Sequence, residues 1–317
     1  VNNQADSYQI YNEIIDISSA EKVLVGLPTY LRVNNSTNEE VIKFSQNVLL
    51  DLGSRIDYLQ RFRDNPKVIP VISSLLTKTG ELNSITSQAE ALQETYESVA
   101  FRVFHNTFNE DFAEISDLIR PEKDVFIYDL DSVDITSPIL RKHAHQIGDI
   151  DSKKILVRSA INTDIQNINL DHGNIVAEAN NSHIEWFRRY GFNAFGDYCG
   201  VKKDDLTSGG SISPGFILFD PYDNLYYGFK GLRPKLEEFE NTIVPALLDS
   251  EMVHRLKRDF NIYLEGNLGF QTIERIYNKE ESGRNQAKFK KISMLHYLHC
   301  LKTSIESEQR IPLSGDI

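Results

Sequence analysis

The segment FNAFGDYCGVKKDDLTSGGSISPGFILFDPYDNLYYGFKG, residues 192–231, carries the strongest signals about architecture in this chain. It begins with a short apolar strand, Phe192–Phe195, and this strand is followed by Asp197 and Tyr198. An acid and a phenol that end a buried strand indicate a polar site at the carboxyl edge of a sheet. We therefore expect Asp197 either to take part in catalysis or to hold the loop that follows, and Tyr198 to contact a ligand.

The remainder of this segment predicts a polar loop and a β-hairpin. The loop, Lys202–Gly215, contains no Gly-Lys-Ser/Thr sequence, which argues against a nucleotide P-loop. It is either a mobile lid over the site or a plain connection to the hairpin, whose strands are Phe216–Phe219 and Tyr226–Phe229. Lys230 ends the hairpin, and we expect it to reach back to the acids and bind a ligand.

Short apolar runs alternate with helical patterns along most of the chain. Six runs predict strands: Lys22–Leu27, Val68–Ile72, Ala100–Phe104, Val125–Leu130, Lys154–Val157 and Phe192–Phe195. This alternation predicts right-handed βαβ units and a parallel sheet. Because polar residues follow the strands, we expect an α/β fold of the (β/α)8 TIM-barrel type, incomplete or irregular at the N-terminus. The alternative is an open doubly wound sheet.

The character of the sequence changes after Gly231, where helical patterns replace strands. Three helices are predicted, at residues 234–248, 270–277 and 285–305, and Pro245 is expected to kink or end the first. We expect residues 1–231 to form the barrel-like domain with its loop and hairpin, and residues 232–317 to form a helical extension packed on it. The chain starts at Val1 rather than Met, so any strands before it would be missing from this count.

The composition limits the class of protein. With 317 residues, of which 40% are hydrophobic and 25% charged, the chain is typical of a globular protein. The net charge of −12 opposes binding to nucleic acid except through a segregated basic patch. No apolar run approaches the roughly 20 residues that span a bilayer, so no membrane association is expected. The only two cysteines, Cys199 and Cys300, favour reduced thiols in the cytoplasm.

Three further strand-end residues complete the set of catalytic candidates with Asp197. Asp129 and Asp131 lie two residues apart in VFIYDLD, so both carboxylates can point to one side, where they suit a divalent cation or acid–base chemistry. The alternative is a helix cap or an ion pair with Arg141. Arg158 ends the next strand, where it either binds a phosphate or pairs with an acid. Because the ends of parallel strands converge, we expect one shared pocket.

Two residues and one helix add further candidates for binding. Glu178 lies beside a seventh apolar run, Ile175–Ala177, and His105 ends a predicted strand, so both are candidate ligand contacts. The last helix is basic over residues 284–302, and it forms the one segregated positive patch of the sequence. Such a helix either meets nucleic acid or an acidic partner, or packs on the acidic body of the protein.

Several motifs resemble one known family, the phage-type beta proteins, which take their name from a T-even coliphage reading frame and occur widely in bacteria. The motifs are PVI at Pro70, YDLDS at Tyr128, PILRKH at Pro138, ILVRSAI at Ile155, the GDY-to-GFKG segment and SGRNQAKFKKISMLHYLHCLK at Ser282. The resemblance covers residues 68–302 and carries no catalytic residues with it. What it implies is a setting of phage genomes, prophages and bacterial loci concerned with phage conflict.

Two functional hypotheses follow. In the first, the protein acts in phage–bacterium conflict, as an anti-phage defence component or its phage-encoded counterpart, and its polar strand ends bind a ligand or a protein partner encoded at the same locus. In the second, it is a metal-dependent hydrolase or lyase acting on a phosphate-bearing or nucleotide-like substrate. There the acids hold a divalent cation of unknown identity, and Arg158 and Lys230 bind the anion. Spacing does not choose between them, because one fold supports many functions.

Overall fold

A computed structural model describes residues 7–29, 39–75, 79–161, 165–179, 181–200 and 213–307. Within these residues the chain forms two β-sheets, a parallel one and an antiparallel one. Most of the Lys202–Gly215 loop lies outside the described residues, so its role as a lid stays a prediction.

Six strands form the parallel sheet, in the order β1-β2-β3-β4-β5-β7. They are β1 Val23–Gly26, β2 Val68–Ser73, β3 Ala100–Phe104, β4 Val125–Asp129, β5 Lys153–Arg158 and β7 Ala194–Asp197. Each neighbouring pair is parallel, which requires a crossover connection between the strands. All six overlap the apolar runs, so the predicted parallel sheet is confirmed.

Helices cover one face of this sheet. They are α1 Ser7–Ile17, α2 Glu39–Leu50, α3 Leu52–Gln60, α4 Ser84–Gln93, α5 Phe108–Leu118, α6 Pro138–Gly148 and α7 His183–Trp186, which continues as a 3-10 turn. At the start of α6 the Ser137 hydroxyl accepts a hydrogen bond from the Ile139 amide, and Pro138 occupies a position where no N–H donor is required. Phe126 and Tyr128 point from β4 into the helices and join the main hydrophobic core.

The opposite face of the sheet is concave and has a smaller apolar core. Val125 and Ile127 of β4 lie there with Val71 of β2 and Ala100 of β3, because successive strand residues point to opposite faces. The sheet curls into a half-barrel, and among the described residues no strand joins β1 to β7. The predicted α/β class and barrel-like curl are confirmed, and the barrel, which we expected to be incomplete or irregular at the N-terminus, is a half-barrel rather than a closed (β/α)8 barrel.

The three remaining described strands form a second sheet instead of extending the half-barrel. β6, Asn174–Glu178, pairs antiparallel with β9, Leu225–Lys230, and β9 pairs antiparallel with β8, Gly215–Asp220. The predicted hairpin is confirmed, and Asn224 closes it with a φ of 57°. A growing parallel barrel needs a crossover after every strand, whereas a hairpin reverses direction at once. The seventh apolar run is thus a strand, but it belongs to this second sheet.

The C-terminal helices pack on the second sheet. They are a π-helical turn, Phe239–Ile243, followed by α8 Val244–Leu248, α9 Glu251–Asp259, α10 Leu268–Tyr277 and α11 Gln286–Glu306. Pro245 lies in the first turn of α8, where the helix geometry changes. Phe216 and Tyr226 of the hairpin share one core with Phe289 and Tyr297 of α11. This core draws on both sides of Gly231, and the predicted domain boundary there stays a prediction.

Gly196 allows the last two strands of the half-barrel to pack closely. It is the register partner of Val157, and a Cβ atom built on Gly196 would lie 2.9 Å from Val157 Cγ2. Carbon atoms in good contact are about 3.5–4.0 Å apart, so a larger residue at position 196 must displace either the Val157 side chain or β7. The position of the residues that follow, Asp197 and Tyr198, depends on this contact.

We predict that Gly196→Ala lowers the free energy of unfolding by about 1–3 kcal/mol, the usual cost of overpacking. Guanidinium chloride denaturation followed by circular dichroism measures this change. Gly148→Ala is the matched control, because a Cβ atom built on Gly148 has nothing within 4 Å. Val157→Ala removes the clashing methyl, so the double variant should lose less stability than the two single variants summed. An unchanged midpoint for Gly196→Ala would contradict the close packing.

Candidate functional site

A buried ion pair lies on the concave face, at the carboxyl edge of the half-barrel. Arg102 donates through Nε to Asp129 at 2.9 Å, and its Nη2 contacts the same carboxylate oxygen. Tyr198 donates its hydroxyl to that oxygen at 2.6 Å and accepts a hydrogen bond from Arg102 Nη2 at 2.8 Å. These three residues form what we call the concave cluster.

The arrangement of the strands brings the concave cluster together. Arg102 of β3 and Asp129 of β4 lie on the same face of adjacent strands, since Arg102 is level with Ile127, two residues before Asp129. Tyr198 follows β7, and β5 lies between β7 and β4. The Tyr198 side chain therefore crosses the end of β5 to reach Asp129.

Asp131 supports the cluster through its backbone. Its amide donates to Asp129 Oδ1 at 2.8 Å, and its φ of 56° places it in the sparsely populated left-handed region. Its carbonyl accepts a hydrogen bond from the Ser159 amide at 2.6 Å, which ties the end of β4 to the end of β5. Both oxygens of the Asp129 carboxylate are therefore engaged, and this acid is held in one orientation.

Electrostatics fix the protonation of the concave cluster. Burial alone would lower the pKa of Arg102, but Asp129 and Tyr198 raise it above its ordinary value. Burial and then the Asp129 charge raise the pKa of Tyr198 far above its usual range, so the phenol keeps its proton. The Arg102 side chain is 24% exposed, whereas that of Asp129 is fully buried. Within the described residues Arg102 Nη1 makes no hydrogen bond, so it can donate to a further partner.

A second polar cluster lies on the opposite, helix-covered face. Arg158 and Asp197 are register partners at the ends of β5 and β7. Asp197 accepts hydrogen bonds from the Tyr297 hydroxyl at 2.9 Å and from the Gly200 amide at 3.2 Å. Arg158 Nε donates to the Val133 carbonyl at 2.6 Å. Because Tyr297 belongs to α11, this cluster joins the half-barrel to the C-terminal helices.

Burial controls the charges of this second cluster. Burial raises the pKa of Asp197 to about 6, although hydrogen bonds and the Arg158 charge oppose the shift. Burial and the charge of Arg158 lower the pKa of His183 to about 3. The 3.6 Å contact between His183 Nε2 and Asp197 is thus not an ion pair at neutral pH. Burial also lowers the pKa of Arg158 to about 10, and Asp134, 3.6 Å away, counters this.

The structure separates the four predicted catalytic residues. Asp129, with Asp131 beside it, belongs to the concave cluster. Leu156 and Phe195 pack into the main core beneath the helices. Arg158 lies two residues after Leu156, and Asp197 lies two residues after Phe195, so each shares a face of the sheet with that core residue. They therefore point to the other side of the sheet, and the four residues do not line one pocket. Tyr198 is the residue of the GDY motif that reaches the concave side.

The remaining candidate contacts are Lys230, His105 and Glu178. Lys230 Nζ donates to the Ile168 carbonyl at 2.5 Å rather than to an acid. The His105 amide donates to the Asp129 carbonyl at 3.1 Å, and the buried Nδ1 of the His105 ring has no hydrogen-bond partner among the described residues. Glu178 ends β6 in the second sheet, yet it faces the end of the half-barrel across a cleft.

That cleft, which we call the edge cleft, separates the carboxyl ends of β4 and β5 from β6. Its volume is about 670 Å³, within the range of small-molecule sites. Its polar side chains belong to Ser132, Ser159, Gln166, Asn169 and Glu178. Ligands of open α/β sheets bind at this edge of the strands, so the cleft and the concave cluster share a location typical of binding sites.

Other sequence signals have structural partners. In the basic helix, Arg284 pairs with Glu240 at 2.9 Å and Lys288 with Glu281 at 2.9 Å, so part of its charge is neutralised within the protein. In the described part of the chain, no three His, Cys, Asp or Glu side chains are grouped to hold a metal ion. Cys300 is buried, and burial, with the Asp197 charge, raises the pKa of the Cys199 thiol.

Fold and site define a class: an α/β half-barrel with an arginine–aspartate–tyrosine cluster at the carboxyl edge of its sheet. The model of the family described as Beta protein matches residues 8–301, nearly the whole chain. The chain therefore belongs to the Beta protein family, as its motifs predicted. Comparisons with curated proteins and with solved structures found no match. No described helix has both the length and the apolar character needed to cross a membrane.

Sequence reasoning missed Arg102 and Tyr297, one in each cluster. Arg102 lies within AFRVF, where its neighbours Phe101 and Val103 are fully buried on the helix side. A charged residue in the middle of such a strand is a usable signal, because it must find a partner on the other face. Tyr297 gave no comparable signal, since its partner Asp197 lies 100 residues away in the chain.

We predict that Asp197→Asn changes how stability depends on pH. The folded-state pKa of about 6 lies above the ordinary 3.8. The contribution of protonated Asp197 to the free energy of unfolding is therefore complete below pH 3.8 and is lost as the pH rises through 6. Asparagine has no proton to lose, so the variant should gain up to about 3 kcal/mol relative to the native chain between pH 4 and 7.

Urea denaturation at several pH values tests this prediction. His183, whose lowered pKa acts in the opposite direction, is present in both proteins, so its contribution largely cancels in the difference. Parallel stability curves for Asp197→Asn and the native chain would show that Asp197 titrates normally and is not buried as described.

Proposed function

We propose that this Beta protein family member binds an anionic ligand at the carboxyl edge of its half-barrel, with Arg102 as the principal contact. The observation that supports the proposal is the orientation of one guanidinium. Its Nε and Nη2 are fixed by Asp129 and Tyr198, while Nη1 has no hydrogen-bond partner in the part of the chain that the structure describes. A guanidinium held by a buried acid is pre-organised for a phosphate or carboxylate, because little side-chain freedom is lost on binding.

The charge of the chain makes this site selective. The net charge is −12, so general attraction does not draw anions to the surface. A phosphate reaching the concave cluster gains from charge-assisted hydrogen bonds in a partly desolvated position. Since Asp129 already has its oxygens engaged, it acts as a positioning residue for Arg102 rather than as a base.

The setting of this binding activity is, in our proposal, conflict between phage and bacterium. It comes from the family resemblance, as does the suggestion of a protein partner encoded at the same locus. The ligand would then act as a signal that the protein recognises. The cytoplasmic location expected from the two cysteines belongs to the same proposal.

We favour the anion-binding function over the hypothesis of a metal-dependent hydrolase or lyase. That hypothesis needs Asp129, Asp131 and Asp197 around one cation, whereas Asp197 is hydrogen-bonded to Tyr297 on the other side of the sheet. It also needs Arg158 and Lys230 at the anion, but Arg158 is fully buried and Lys230 is bonded to the Ile168 carbonyl. Arg102 supplies the anion contact without these residues.

We predict that inorganic phosphate at millimolar concentration binds the native chain and that Arg102→Gln weakens this binding at least tenfold. A hydrogen bond to a charged group is worth about 1.5–3 kcal/mol, which corresponds to that loss. Isothermal titration calorimetry measures the affinity. Arg102→Lys keeps a cation beside Asp129, so it should fold, but it lacks the planar fork and should also bind more weakly.

Arg120→Gln is the matched control. Arg120 is 29% exposed and pairs with a fully buried acid, Asp124, at 2.8 Å, so its loss carries a similar structural cost. It follows α5 and precedes β4, at the amino edge of the sheet, away from the cluster. Equal phosphate affinities for the Arg102 variants and the Arg120 variant would refute the proposal.

A further inference from the structure

We infer that the ligand is a phosphorylated sugar, whose hydroxyl groups occupy the edge cleft while its phosphate contacts Arg102. The inference rests on the proposed function and adds the class of ligand. It comes from three features of the edge cleft: which polar side chains line it, which apolar side chains line it, and how it connects to the concave cluster.

The polar side chains of the cleft suit neutral hydroxyl groups. Glu178, Gln166 and Asn169 make no side-chain hydrogen bonds to the described residues, so a carboxylate and two carboxamides are available. Carboxylates accept from hydroxyl groups, and carboxamides both accept and donate. The carboxylate of Glu178 repels a second anionic group, so the part of the ligand that enters this cleft is uncharged.

Apolar side chains also line the cleft. Buried Ala160, Ile161 and Leu170 form part of its lining together with Val176. A sugar ring presents C–H groups on its faces and hydroxyls around its edge, so it can use both the apolar and the polar lining. Binding sites of this size usually combine apolar side chains with a few placed polar groups.

A short hydrogen-bonded path connects the cleft to the concave cluster. Ser159, in the wall of the cleft, donates its amide to the Asp131 carbonyl at 2.6 Å. The Asp131 amide donates to Asp129 Oδ1 at 2.8 Å, and Asp129 holds Arg102. The cleft therefore begins two hydrogen bonds from the carboxylate that orients the guanidinium. Ser159 thus belongs both to the lining of the cleft and to the chain of hydrogen bonds that leads to Arg102, and the inferred ligand carries its anion at one end and its hydroxyl groups at the other.

Calorimetric titration with three probes tests the inference: inorganic phosphate, ribose 5-phosphate and ribose. We expect the native chain to bind ribose 5-phosphate at least tenfold more tightly than inorganic phosphate. The double variant Glu178→Ala/Asn169→Ala should lower the affinity for ribose 5-phosphate, so that the difference between the affinities for ribose 5-phosphate and for inorganic phosphate becomes smaller. Arg102→Lys should weaken both. Glu90→Ala, an exposed acid on α4, is the control and should change neither.

The outcomes separate this inference from the proposed function. If phosphate binds through Arg102 but ribose 5-phosphate binds no more tightly, the sugar site is refuted and the anion site stands. The sugar site is also refuted if the double variant binds ribose 5-phosphate as well as the native chain does. If inorganic phosphate itself fails to bind, the proposed function falls and the inference falls with it.

Discussion

The ion pair between Arg102 and Asp129 is the interaction that holds the carboxyl edge of this protein together. A fully buried carboxylate is tolerated only when it is paired and hydrogen-bonded, and Asp129 receives Arg102, the Tyr198 hydroxyl and the Asp131 amide. These partners come from β3, from the segment after β7 and from the turn after β4. Removing any one of them leaves a buried charge less well compensated. The cluster thus holds three separate parts of the half-barrel in register at the place where we propose that a ligand binds.

The two faces of the sheet serve different purposes. On the concave face the polar groups reach solvent through Arg102, which makes that face suitable for recognition. On the helix-covered face Asp197 and Tyr297 are buried, and they connect the half-barrel to the helices that pack on the second sheet. The raised pKa of Asp197 and the lowered pKa of His183 are consequences of burial at this junction. A residue at a strand end belongs to one cluster or the other according to the face of the sheet to which its side chain points.

The half-barrel also shows how a β-hairpin limits a parallel sheet. From β1 to β4 each strand is followed by a helix, and the sheet grows by one strand at each crossover. β6 then pairs with the later hairpin, and β7 becomes an edge strand. The second sheet closes over the carboxyl end of β4 and β5 and creates the edge cleft there. The departure from a complete barrel therefore produces the cavity in which we place the sugar of the ligand.

Local sequence patterns were enough to establish the six parallel strands, the hairpin and the family, because apolar periodicity and short motifs depend on residues close together in the chain. They also indicated Asp129 and Tyr198 as members of a polar edge. Folding in three dimensions was needed to show that Arg158 and Asp197 face away from them, since strand direction and register set the face of every side chain. The pairing of Asp197 with Tyr297 spans 100 residues, and that of Tyr198 with Asp129 spans 69. No local pattern carries such contacts, because they arise when separately formed elements pack together.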